Sequence, residues 1–143
     1  MKISAISLLI VFSMIACTSA HYISPIDSMH MSAIYESDAM AKRTTESITA
    51  VGEEKTIRAA MDNVRYGMKD PDSAKFRNVR LQLHAMTSDK IVCGEVNGKN
   101  SYGAYVGFVK FIASPDSHYI QDTSSRSQIM DAANAGLDRT CYR

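Results

Sequence analysis

Three cysteines, Cys17, Cys93 and Cys141, constrain this chain more than any other feature. An odd number leaves at least one thiol outside any intramolecular disulfide, and the surroundings of Cys17 say which one. It ends an uncharged apolar stretch, ISAISLLIVFSMI (residues 3–15), that follows a single positive charge at Lys2. Such a run is short of the roughly 20 residues a bilayer-spanning helix needs. A basic start, an apolar middle and a small-residue exit are the layout of a secretory signal. A buried N-terminal helix and an uncleaved anchor are the alternatives.

Met14-Ile15-Ala16-Cys17 resembles the lipobox of bacterial lipoproteins, with Met14 standing where leucine is usual. The resemblance implies cleavage before Cys17 and attachment of membrane lipid to its sulfur. Thr18 at the next position, in place of the aspartate linked to inner-membrane retention, implies an outer-membrane lipoprotein facing the periplasm. The competing reading is ordinary cleavage after Ala20, giving a periplasmic or secreted protein. With Cys17 acylated, Cys93 and Cys141 are left to pair in an oxidising compartment. Closing that loop of about 48 residues is worth about 4 kcal/mol on a chain-entropy model. Two free buried thiols are the other possibility. Two cysteines are too few for a structural zinc site, and no histidine lies at useful spacing, so no metal or other cofactor is expected.

The expected organisation is a signal peptide over 1–16, a lipidated N-terminus and tether over 17–50, and a single α+β domain over 51–143. Sixteen basic residues face 15 acidic ones. Removing residues 1–16 takes away only Lys2, which leaves a neutral chain with no pull toward nucleic acid or anionic lipid. Residues 18–50 are polar and rich in Ser, Thr, Ala and Met. Met31, Ile34 and Tyr35 share a helical side, but Asp38, Lys42 and Thr45 interrupt the pattern, so the segment reads as a tether with helical tendency.

A helix is expected from Glu53, because Ile57, Ala60, Met61, Val64 and Met68 form one apolar stripe. Gly67 and Asp70-Pro71 stop it, and Asp70 is placed to cap a short turn that docks Ala74 and Phe76. Val79, Leu81, Leu83 and Ala85 then alternate with polar residues as a strand, and Thr87–Lys90 reads as its turn. IVCGEV (91–96) is a second strand, followed by the turn signal Asn97-Gly98. YVGFVKFIA (105–113) is a third and central one. Ser114 to Ser127 reads as a loop, and Ile129, Ala133 and Leu137 mark a short C-terminal helix with Cys141 just beyond it. The expected fold is therefore a three-stranded antiparallel sheet, one face covered by an N-terminal amphipathic helix and the short C-terminal helix.

Catalytic signatures are missing. His21, His30, His84 and His118 are scattered as surface or rim residues, and there is no HExxH, GxSxG, phosphate loop or dinucleotide fingerprint. Glu95 is placed to pair with Lys99 or Lys110. The unusual segment is 93–111, with four of the seven glycines and four aromatic residues. It reads either as a tight hairpin covered by its own aromatics or as a recognition surface formed by Asn97, Lys99, Asn100, Ser101, Tyr102 and Tyr105.

DPDSAKFRNV (70–79) followed by VCGEVNGKNSYGAYVGF (92–108) resembles a group of small uncharacterised exported proteins and lipoproteins of proteobacteria and their phages. In that group glycine is common where this chain has Ala104. The resemblance spans residues 55–112 and implies export and domain limits, without a mechanism. The leading expectation is a lipid-anchored envelope protein with a non-catalytic interaction domain and an envelope protein partner. It would serve as an assembly accessory, a secretion-system component or an immunity or inhibitor protein. The alternative is a periplasmic enzyme or ligand binder, perhaps of the cell wall, and a pocket uniting Glu95, His84 and Tyr105 would favour it.

Overall fold

The computed structural model describes residues 25–124 and 127–142, with side chains from residue 36 onward. Cys17, His21 and the signal segment lie outside the described residues, as does the side chain of His30. The elements in chain order are helix α1 (Pro25–Val51), helix α2 (Glu53–Tyr66), a 3-10 turn (Pro71–Ser73) and strand β1 (Lys75–Leu83). Strands β2 (Lys90–Asn97), β3 (Val109–Ala113) and β4 (His118–Ile120) and helix α3 (Gln128–Cys141) follow. The strands form one antiparallel sheet in the order β1-β2-β3-β4. The α+β class is as expected, and β3 is central, but the sheet has four strands. The fourth lies in the stretch read as a loop. His118-Tyr119-Ile120 is too short and polar to announce itself, and Ser114, whose N–H donates to the Ser117 carbonyl at 2.8 Å, turns the chain back beside β3.

The sheet is covered on both faces, not one. Because side chains alternate along a strand, Ile91 and Cys93 of β2 point to one side and Val92 and Val96 to the other. Ile91, Cys93 and Ile112 pack with Met40 and Ala41 of α1 and with Leu137 and Cys141 of α3. Val92, Val96, Phe111 and Ala113 pack with Ala60 and Val64 of α2, which uses the stripe expected of it. This is why IVCGEV is buried almost throughout. Gly94 makes the second layer possible, since a Cβ there would come within 2.8 Å of the Phe111 ring and 3.1 Å of Val79.

Residues 36–50, expected to belong to the tether, are part of α1 and bring Met40, Ala41 and Thr44 into the interior. The stripe is hidden in the sequence because one of its members is a threonine. Thr44 returns its hydroxyl to the Met40 carbonyl at 2.9 Å and so presents only its methyl to the core. Thr56 does the same with Gly52. Gly52 separates the two helices with φ +88, a conformation that side chains with a Cβ avoid. Asp70 makes no side-chain cap, and the turn is held instead by Ser73 Oγ donating to the Asp70 carbonyl.

The edge strand β1 is protected by Lys75, Arg77 and Arg80 and by a bulge between Arg77 and Arg80, where Asn78 has φ +54. Glu95 pairs with Arg77, not with Lys99 or Lys110. Lys110 reaches Asp138 at 2.7 Å.

Cys93 and Cys141 form a disulfide, with Cα atoms 5.7 Å apart. Cys141 lies in the last turn of α3, not beyond the helix as expected. The same end of α3 is held by Arg80 donating to the Cys141 carbonyl and by Tyr142 Oη donating to the Gly94 carbonyl at 2.5 Å. Arg80 and Lys110 lie over the Tyr142 ring, at 5.3 and 4.6 Å from its centroid. Among the described residues no helix is long and apolar enough to cross a membrane.

Candidate functional site

Where α1 and α3 diverge over β3 and β4, they leave a groove of about 360 Å³, within the range of small-molecule sites. Ile112 forms the floor with Tyr119. Ser37 and Met40 come from α1, and Ile129, Ala133, Gly136 and Leu137 from α3. The stripe Ile129–Ala133–Leu137 was expected to be core. Only Leu137 is fully so, and Ile129 remains 51% exposed above the groove. Small residues at 133 and 136 keep this wall thin.

Polar groups gather at the margins. Tyr119 Oη donates to Asn134 Oδ1 at 2.8 Å, and Asn134 Nδ2 donates to the Asp122 carbonyl at 2.9 Å, fixing the start of α3. Burial pushes the Tyr119 phenol above its ordinary range, so it stays a neutral donor. On the α1 side, Ser37 Oγ lies 3.1 Å from His84 Nε2, and Asp38 Oδ1 lies 3.4 Å from His84 Nδ1.

His84 follows β1 directly and is buried at 4% exposure, not the rim residue expected. Its backbone N–H donates to the Asp89 carbonyl at 2.8 Å, which anchors the loop that presents it beneath α1. Nδ1 has two neighbours, the Met86 N–H at 3.4 Å and Asp38 Oδ1. Asp38 Oδ1 is sealed from solvent and makes no hydrogen bond. With Nδ1 accepting from the Met86 N–H, the ring proton lies on Nε2, which donates it to Ser37 Oγ.

The trio Glu95, His84 and Tyr105 is not brought together. Glu95 is engaged by Arg77 and Asn78, and Tyr105 Oη donates to the Ser73 carbonyl at 3.3 Å. His118 is on β4, its Nδ1 3.0 Å from Asn63 Oδ1 on the α2 side, and burial lowers its pKa below the ordinary 6.5. Among the described residues no cluster of His, Cys, Asp and Glu is arranged to hold a metal ion.

The candidate interaction residues sit on the loop between β2 and β3, where they divide into two roles. Asn100 Oδ1 accepts from the N–H groups of Tyr102 and Ala104 at 2.9 and 3.1 Å, and Asn97 Oδ1 accepts from that of Gly107 at 3.2 Å. Lys99 is tied through its N–H to Ser73 Oγ at 2.9 Å, and Lys75 lies over the Tyr105 ring. These residues build the loop. Ser101 and Tyr102, the latter 94% exposed, face solvent together with Val106 at 66%.

Ser37 and Asp38 are absent from the sequence expectations because they fall in the segment read as tether. Their only local signal is that Ser37 precedes Met40, Ala41 and Thr44 on one helical face. Comparison with family models, curated proteins and solved structures returns no match to this chain.

Proposed function

We propose that the domain works outside the cytoplasm, held to the envelope by lipid on Cys17, and takes a small uncharged apolar ligand into the groove between α1 and α3. One observation carries the ligand reading: an apolar concavity of ligand size, with Ser37 and Tyr119 at its margins. Support for the location is separate. It comes from the apolar run before Cys17 and from a disulfide that suits an oxidising compartment.

An acyl chain suits the groove because Met40, Ile112, Ile129 and Leu137 offer hydrocarbon contact while the polar margin can receive a carbonyl. Burying the methylenes of octanamide at about 0.8 kcal/mol each gives about 5 kcal/mol, a dissociation constant of a few tenths of a millimolar. Calorimetric titration with octanamide tests this. Saturable binding by the wild type, lost in Ala133→Phe and kept in Tyr102→Ala, supports the groove. Absence of binding, or equal binding by Ala133→Phe, overturns it.

A second reading rests on Tyr102 and Val106, whose exposure on a loop braced by Asn97 and Asn100 suits contact with an envelope protein partner. Recovery of one defined partner from detergent-solubilised envelopes, abolished by Tyr102→Ala, supports it. Unchanged recovery removes that surface.

A further inference from the structure

Between Lys99 and Lys110 the chain carries no charged side chain. Residues 101–107 of that stretch are exposed without a break, with Tyr102 at 94%, Val106 at 66% and Tyr105 at 41%. A contiguous uncharged tip of this kind marks a contact site. The tip is also well ordered by its own hydrogen bonds. The Asn100 N–H donates to the Ala104 carbonyl at 2.9 Å, and the Gly103 N–H donates to the Asn100 carbonyl at 2.9 Å. Asn100 Oδ1 accepts from the N–H groups of Tyr102 and Ala104, and Asn97 Oδ1 from that of Gly107. Gly103 and Gly107, with φ +76 and +102, let the chain turn this tightly.

The backbone favours a bilayer over a protein partner. A partner or water can bond free N–H groups, whereas lipid cannot, and an unpaired backbone group is heavily penalised there. The N–H groups of Tyr102, Gly103, Ala104 and Gly107 are already bonded within the loop. Behind the tip, three cations rest on aromatic rings. Lys75 and Lys99 lie over Tyr105, 4.4 and 5.7 Å from its centroid, and Arg77, which pairs with Glu95, lies over Phe108 at 4.0 Å. Tyrosines and long basic side chains suit the headgroup level, with rings toward the acyl region and charges toward phosphate.

We propose that the loop between β2 and β3 is an interfacial membrane contact, in which Tyr102, Ala104 and Val106 enter the acyl boundary of a bilayer while Lys75, Arg77 and Lys99 meet lipid phosphates. The inference is independent of the groove and its ligand. Burying so few side chains gives reversible contact, enough to set which face of a tethered domain meets the bilayer.

The chain has no tryptophan, so Val106→Trp and, separately, Met86→Trp each supply a single fluorescent reporter. Met86 is 75% exposed between β1 and β2, at the opposite end of the sheet. The full-length protein is reconstituted into vesicles of phosphatidylethanolamine and phosphatidylglycerol, three to one, with and without bromine on the acyl chains. Each reporter reads the position of its own residue, so anchorage through the N-terminus does not enter the signal. The Val106→Trp emission is expected to shift to shorter wavelength and to be quenched by bromine, and the Met86→Trp emission is not. Adding Tyr102→Ser lowers the ratio of inserted to free tip about tenfold, which is about 1.4 kcal/mol and within what burial of one large side chain supplies. Asn100→Ala lowers it by a similar factor, because two N–H groups would enter lipid unpaired; a loop that merely adheres through its side chains would not respond. Near-ultraviolet circular dichroism checks that the variants fold. No quenching at Val106→Trp, equal quenching of the two reporters, or quenching unchanged by Tyr102→Ser or by Asn100→Ala overturns the proposal. Protection of the Val106→Trp emission in native envelopes but not in vesicles of lipid alone likewise overturns it, and assigns the tip to a protein partner.

Discussion

Reducing the bond between Cys93 and Cys141 leaves every heavy atom of the protein in place and removes one constraint, so its effect can be worked out directly. The linkage spans 48 residues that include the end of β2, the loop to β3, both later strands and α3. On the chain-entropy model, opening such a loop in the unfolded state costs the native state about 4 kcal/mol of relative stability. Domains of this size have about 5–15 kcal/mol in all. With a urea dependence of about 1.5 kcal/mol/M, the unfolding midpoint is expected to fall by roughly 2–3 M.

The measurement is urea unfolding followed by circular dichroism, with and without a phosphine reductant, thiol release being checked in parallel. Opposing the effect are contacts that hold α3 without the bridge: Arg80 on the Cys141 carbonyl, Tyr142 on the Gly94 carbonyl, and Lys110 on Asp138. They persist in the reduced native state and leave the entropic term intact. A midpoint shift under about 0.5 M, less than about 1 kcal/mol, would refute the reasoning and make these contacts the true fastening.

Further outcomes follow from the geometry. Gly94→Ala would drive a Cβ into Phe111 and Val79, and is expected to cost about 1–3 kcal/mol of stability by overpacking, measured by chemical unfolding. Burial lowers the folded-state pKa of His118 from 6.5. The stability tied to its neutral form is therefore complete above the unfolded pKa and is lost as pH falls toward the lowered folded value, where the unfolded chain binds the extra proton. His118→Gln should flatten the decline in stability from neutral to mildly acidic pH, and an unchanged slope would contradict this. Asn100→Ala removes the acceptor for two backbone N–H groups in an exposed loop. Amide hydrogen exchange at Tyr102 and Ala104 should accelerate, while global stability falls by only about 1 kcal/mol.

The parts of the fold legible in the sequence are those in which apolar residues carry the pattern. The α2 stripe, the alternation in IVCGEV and the pairing of Cys93 with Cys141 all belong here. What was hidden depended on polar residues that become buried by satisfying themselves locally. Thr44 and Thr56 bond back along their own helices, and so α1 looked like a tether. β4 depends on tertiary pairing with β3 and has no period of its own. The groove was illegible for a related reason, since Ile129 and Ala133 give the same signal whether they meet a core or line a cavity. Ser37 and Asp38 are far from His84 in sequence and meet it only because α1 docks on the sheet.

The central claim is that the space between α1 and α3 receives an apolar ligand, and methyl-resolved NMR during titration with octanamide tests it most directly. The account predicts saturable shifts at Met40, Ile112, Ile129, Ala133 and Leu137, with Val92 and Val96 on the opposite face of the sheet unmoved. Shifts centred on the α2 face or on Val106, or no shifts at these five residues up to the solubility limit, would contradict it.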